Sequence, residues 1–255
     1  MAPPSTLLDL GLTLRPEHDA ERRRHIARLA ARLGFRYVWL PVSADAAPAE
    51  TAALAQQARP AQLGLIVTDG PTDVVRRVAD LRATGLDVLL EIHAPAKLRA
   101  DLVGAVGGPH EWRRRVFVPW YDADAAGLVV LAEGAPDLAA VQARVAEAAA
   151  RRRADAGDRR DFPISVALTV SIGRTMSEAQ ARAVRDPALS GARDPRTAGL
   201  FGTLENAQEQ AMRLARAGAD AVRATLADEH DVADLLAQLR SVAVGPTPVL
   251  HGRHA

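Results

Sequence analysis

The chain is predicted to be an α/β protein, a single (β/α)8 barrel of the TIM type, on three observations. Strand-like and helix-like segments alternate from one end to the other, the order that builds a parallel sheet flanked by helices. At 255 residues the length is close to that of one minimal barrel, so one domain, 1–245, with a short tail at 246–255, is the economical reading. Finally, residues 204–226 carry a helix through Gly218 directly into a short apolar strand. A helix feeding a parallel strand in this way is the closing unit of such a barrel.

The elements follow in order. The first strand is placed at 7–14 and the first helix at 20–33. Strand 37–42 (YVWLPV), helix 47–58, strand 63–68 and helix 72–83 continue the alternation, with Thr72 capping the last of these behind Gly70-Pro71. Strand 88–93 (VLLEIH) and helix 96–106 come next. Strands 116–120 and 128–132 are separated by little more than YDADAAG, which leaves no room for a full helix. A short turn, a non-helical crossing or one misassigned strand is expected there. Helix 137–153 runs into an Arg/Ala-rich stretch, 148–161, read as a solvated helix end and turn. Strand 164–172 is β-branched and apolar at nearly every position, which suits burial on both faces. Thr175-Met176-Ser177-Glu178 opens helix 177–184, a Pro/Gly/Arg loop occupies 186–199, and helix 204–217 starts behind Thr203 as N-cap and stops at Gly218. Strand 221–226 and helix 231–242 complete the set.

Both ends of this pattern resemble a known family. SVALTVSIGRTMSEAQARAVRD, followed by FGTLENAQEQAMRLARAGADAVRATL, is similar to the C-terminal third of the luciferase-like monooxygenases. LLDLGLTLR with HIARLAARLGFRYVWLPV resembles their first strand, first helix and second strand, including the Leu-Gly-Phe turn and Trp39. The resemblance implies a barrel with reduced FMN or F420 across its carboxyl-end mouth, the phosphate held by loop amides and helix N-termini. The implied reaction is that of an oxidoreductase or monooxygenase acting on a small organic substrate. It also implies a homodimer, or a heterodimer with a homologous subunit, through helices of the N-terminal half, where 47–58 offers small residues for close approach. The middle of the chain departs from the family. Its Gly-Arg after the third helix is absent from ATGLDVLLEIHAPAKL, and Gly107-Gly108 lies a strand earlier than the family's Gly-Gly phrase. Two other readings therefore stand beside the flavin enzyme: a barrel that has lost its cofactor and serves as a partner subunit, and a cofactor-free barrel enzyme.

Composition narrows the classes. The formal net charge is +1, with Arg interspersed among Asp and Glu, so no basic field recommends nucleic acid. There are no cysteines, which excludes disulfides, thiolate metal sites and a cysteine nucleophile. MAPPSTLLDL has no basic leader region, and no run approaches the roughly 20 apolar residues of a membrane span. A cytoplasmic protein without a membrane segment is the expectation. The histidines form no HxH or HExxH pattern, so no metal site is expected.

Site candidates are the polar residues of otherwise apolar strands, because inward side chains near the carboxyl ends of barrel strands line the mouth. Glu91 and His93 lie two apart and share a face of their strand. They are the candidate acid and base, or else a buried polar pair tied to a neighbouring strand. Arg223 and Thr225 alternate in the same way on the last strand; Arg223 meets a ligand anion or an ion-pair partner such as Glu91 or Asp69. Thr68 and Asp69 end the third strand and reach the mouth, or serve the Gly-Pro turn. Trp39, and Trp120 with Tyr121, offer flat surfaces for a ring to stack on, with core packing the alternative for Trp39.

Overall fold

The computed structural model describes residues 8–42, 48–156, 162–185, 194–227 and 230–244. The chain order is β1 (Asp9–Thr13), α1 (Ala20–Arg32), β2 (Tyr37–Pro41), α2 (Pro48–Gln57), β3 (Gln62–Val67), α3 (Pro71–Ala83) and β4 (Leu89–Ile92). A 3-10 turn (Ala96–Leu98), α4 (Arg99–Val106), α5 (Pro109–Arg115), β5 (Val116–Val118), β6 (Gly127–Leu131) and α6 (Leu138–Ala156) follow. The last stretch is β7 (Ile164–Gly173), α7 (Met176–Arg185), α8 (Pro195–Ala198), β8 (Leu200–Thr203), α9 (Leu204–Ala217), β9 (Ala221–Leu226) and α10 (Val232–Val244). Strands β1 to β7 pair in sequence, β7 pairs with β9, and β9 pairs with β1, all in parallel. The eight barrel strands are those expected from the sequence. Strand β8 lies outside the ring and extends the sheet from the last residues of β7, Val170 to Gly173.

Both faces of the strands are buried, which is why they read as nearly continuous apolar runs. On β2, Val38 and Leu40 face the helices while Tyr37 and Trp39 face the barrel axis. The axis is filled by Tyr37, Trp39, Ile66, Leu89, Phe117, Ala126 and Val129. Two glycines make room for the large rings. A Cβ on Gly64 would stand 2.2 Å from Trp39 Cε3, and one on Gly127 would stand 2.5 Å from Phe117 Cε1. The two rings meet edge-on at 5.5 Å between centroids and 81° between planes. This aromatic plug makes the lower barrel axis a packed core, above which a cavity opens at the carboxyl-end mouth.

Two regions differ from the sequence-based expectation, and a third, the β5–β6 crossing, is the short turn expected. The expected helix 96–106 is a 3-10 turn followed by α4, and α5 was not anticipated; Gly107 and Gly108, at φ 109° and 103°, break the chain between α4 and α5. The 186–199 loop contains α8, and β8 begins at Leu200 before the expected helix; residues 186–193 lie outside the described residues, as does the expected tail at 246–255. Between β5 and β6 the crossing is a turn, and Asp122 pins it. Its carboxylate accepts from Arg99 Nε at 2.6 Å, Trp112 Nε1 at 3.0 Å and the Asp124 amide at 3.0 Å. Both strands flanking that turn are in place.

The final helix-strand junction is as expected. Thr203 and Asn206 form a reciprocal capping box at the start of α9, and Gly218 ends it in the left-handed region at φ 111°. Asp220 then accepts from the Ile164 amide at 2.8 Å and from Arg152, which ties the entry of β9 to that of β7.

Candidate active site

Strand parity carries the polar residues to the mouth. Glu91 follows the inward Leu89 by two residues, and Arg223 and Thr225 alternate with the outward Val222 and Ala224. Glu91 is fully buried. Its Oε2 accepts from Arg223 Nη1 across the barrel, and its Oε1 lies 2.5 Å from His93 Nε2. The Arg223 guanidinium also stands 5.6 Å from the centre of the Trp39 ring. Burial by itself would raise the Glu91 carboxyl, but the charge of Arg223 and the hydrogen bond from His93 outweigh it and hold the group below its ordinary range. Glu91 is therefore an anion in the folded protein. With Glu91 ionised, the His93 Nε2–H donates to its carboxylate, which leaves Nδ1 as the acceptor nitrogen of the ring.

Above this triad lies a cavity of about 370 Å³, within the usual range for small-molecule sites. Thr13, Thr68, Thr169 and Thr225 bring hydroxyls to it, and Pro41, Ile66, Leu131 and Ala167 supply apolar wall. His93 and Arg223 form part of its floor. Arg15, Glu17, Glu133 and Asp194 add charge at the lining. Arg15 Nη2 donates to the Leu226 carbonyl at 2.5 Å, which fixes the loop after β1 against the end of β9.

The structure brings together five of the residues singled out in the sequence. His93, Thr68, Arg223 and Thr225 line the cavity, with Glu91 sealed directly beneath His93 and Arg223. Asp69 is turned to α3, where it pairs with Arg77 at 3.2 Å, and is not part of the lining. Trp39 is 2% exposed and lies under Arg223 as part of the aromatic plug, so its ring faces are covered by protein. Trp120 and Tyr121 line a groove on the barrel flank together with Leu128, Val130 and Arg144; it adjoins the cavity at Leu131 and Glu133, but neither aromatic lines the cavity itself. Their position at the end of β5 suggested the mouth, but the helix-free crossing turns the chain outward there, and Tyr121 packs edge-on against Phe162 at 5.8 Å.

Several lining residues were missed. Thr13 and Thr169 obey the same alternation that identified Thr225, and that signal was present in the sequence. Glu133 and Asp194 stand beyond strand ends, where a loop's course decides what reaches the mouth and no periodicity reports it.

A flavin or F420 asks for a flat apolar slot with polar edges and for donors to a phosphate. The cavity walls and the threonine hydroxyls fit a ring, and Arg223 Nη2 is a donor with no acceptor among the described residues. Five helices are capped by their own side chains: Asp19 at α1, Asp137 at α6, Thr175 at α7, Asp194 at α8 and Thr203 at α9, whereas α3, α4 and α5 have no side-chain cap. The start of α3, at Gly70, is open to a phosphate. Among the described residues no cluster of three His, Asp or Glu is arranged to hold a metal ion, and no helix is long and apolar enough to cross a membrane.

The sequence matches no protein-family model and no curated protein. Solved structures do match the fold. The chain is similar to the F420-dependent tetrahydromethanopterin reductase of Methanopyrus kandleri, at 11% identity and a TM-score of 0.62, over 93% of this chain and 98% of that one. An F420-dependent secondary alcohol dehydrogenase, solved with an F420-acetone adduct, gives 14% identity and a TM-score of 0.64 over 94% and 99%. The oxygenating constituent of 3,6-diketocamphane monooxygenase from Pseudomonas putida, a type II Baeyer-Villiger monooxygenase solved with FMN, gives 12% and 0.59 over 93% and 98%. These neighbours are of the luciferase-like type that the ends of the sequence resemble. At such identities the likeness defines the architecture, a closed (β/α)8 barrel.

Proposed function

We propose that the protein is a flavin- or F420-dependent oxidoreductase of the luciferase-like kind, acting on a small organic substrate at the carboxyl-end mouth. The observation that carries this reading is the cavity, which combines apolar walls with an unsatisfied guanidinium N–H, in a barrel whose structural neighbours use F420 or FMN. When bound, such a cofactor supplies hydride transfer or activation of dioxygen. Pro41, Ile66, Leu131 and Ala167 would hold the ring, and the Gly70 end of α3 would receive the phosphate. The chain's own residues do the rest. Arg223 donates to an acceptor oxygen at the floor, and Glu91 keeps Arg223 and His93 in place. His93 Nδ1 exchanges a proton with whatever lies above it. The loop after β1, held by Arg15, screens one side of the cavity from water. Absorbance titration with FMN and with F420 tests the reading. A saturable spectral shift with either supports it, and no shift with both removes it.

The short contact between His93 and Glu91 favours a second reading, a cofactor-free enzyme with His93 as acid and base and Glu91 as its orienting partner. On either reading His93→Ala lowers turnover by about two to four orders of magnitude while leaving the fold intact. A barrel that retains the fold but binds no small molecule at this cavity would be the partner-subunit case.

A further inference from the structure

We infer that the floor of the cavity is built for a neutral carbonyl oxygen, carried on an apolar body, which accepts a hydrogen bond from Arg223. The inference deepens the reading above by naming what the floor recognises, and its test needs no cofactor, so the two can fail separately.

Three observations converge on it. The first is an unmet donor. Arg223 is 6% exposed, and its only hydrogen-bond acceptor among the described residues is Glu91, reached through Nη1. Nε is sealed within the protein without a partner, and Nη2, which makes no hydrogen bond to the described residues and keeps accessible surface, is the donor left to the cavity that Arg223 lines. A guanidinium carries five N–H bonds, and leaving a charged donor unpaired inside a protein is costly, so a ligand acceptor at this place recovers free energy that the protein alone does not.

The second observation is the charge balance, which decides what kind of acceptor fits. The positive charge of Arg223 is already matched by Glu91, an anion in the folded state. Of the carboxylates at the lining, Glu17 pairs with Arg15 at 3.5 Å and Asp194 with Arg196, so these cations are already matched as Arg223 is. A carboxylate or phosphate brought to the floor would face Glu91 with each of these guanidinium groups already paired. A carbonyl oxygen takes the N–H without adding charge. The third observation is the surroundings. The walls are Pro41, Ile66, Leu131 and Ala167, and threonine hydroxyls provide secondary polar contacts. A ketone or aldehyde with a hydrocarbon frame matches both. The flat ring of a redox cofactor also bears carbonyl oxygens, so two sources share this chemistry, and the experiment must tell them apart.

Ligand-observed NMR on the purified, cofactor-free protein can measure affinities for cyclohexanone, cyclohexanecarboxylate and cyclohexylamine, three probes with one frame and different heads. The expected order places cyclohexanone first. Arg223→Lys keeps a cation beside Glu91 but loses the guanidinium donors, and it should weaken cyclohexanone by about tenfold or more, the worth of a charge-assisted hydrogen bond. Should that variant fold poorly, the double variant Arg223→Met with Glu91→Leu removes the charge pair together and should lose cyclohexanone to the same degree. The same titration repeated with FMN or F420 present separates the sources. Cyclohexanone that still binds beside the cofactor identifies a substrate carbonyl, while displacement, with Arg223→Lys weakening both ligands, identifies the ring. Preference for the carboxylate or the amine, no binding of cyclohexanone at millimolar concentration, or equal binding by wild type and variants would overturn the inference.

Discussion

Glu91 and Arg223 are individually unfavourable inside a barrel and tolerable only as a pair. Removing one partner strands the other, so Arg223→Met and Glu91→Leu should each cost about 3–5 kcal/mol in urea denaturation. The double variant should recover most of that loss, because two apolar side chains replace two charges. The pH dependence follows from the direction of the Glu91 shift. Its folded-state value is depressed below the ordinary 4.5, so its stabilising contribution is complete above that value and is lost as pH falls through the lower, folded one. In Arg223→Met the guanidinium is gone and burial dominates, which raises the carboxyl and reverses the sign. Denaturation midpoints of this variant should rise as pH is lowered from neutral, whereas those of the wild type should fall only in acid. The pair was legible in the sequence because Glu91, His93 and Arg223 interrupt apolar strands at even spacing. That Arg223 reaches Glu91 and not Asp69 was not legible, because partners so far apart in the chain are chosen by barrel closure.

Among the elements, the turn between β5 and β6 is the most instructive. A crossover of this kind normally needs a helix, and here one carboxylate, Asp122, replaces it by gathering Arg99, Trp112 and the Asp124 amide. Asp122→Ala should cost about 2–4 kcal/mol, since it leaves the buried indole N–H without its acceptor. Hydrogen exchange should show the β5–β6 region opening before the rest of the barrel. On β3 the constraint is steric. Gly64→Ala places a methyl group inside the Trp39 ring and should destabilise by about 1–3 kcal/mol or more, with a change in the near-ultraviolet circular dichroism of the tryptophan. The sequence disclosed the strands and their order because doubly buried strands are apolar throughout. It did not disclose α5, α8 or β8, which are short and owe their existence to tertiary contacts more than to periodicity. Trp120 and Tyr121 illustrate the same limit, since a turn of a few residues decides whether a strand-end aromatic faces the mouth or the flank.

At the scale of the whole molecule, the aromatic plug below and the open cavity above divide the barrel into a part that holds the fold and a part free for chemistry. Association is expected through the N-terminal helices, where α2 presents Ala49, Ala52 and Ala53 at its accessible face. Light scattering should report a dimer at micromolar concentration, and a monomer across that range would argue against pairing. The central claim, that the mouth cavity is the site of a redox cofactor, is tested most directly by titrating FMN and F420 into the wild type and into Thr68→Trp. Thr68 lines the cavity from an exposed position, so the indole fills the space without disturbing the core. The account predicts saturable binding of one cofactor by the wild type and a loss of about tenfold or more in the plugged variant, with unchanged thermal unfolding. Binding by neither protein, or equal binding by both, would contradict it.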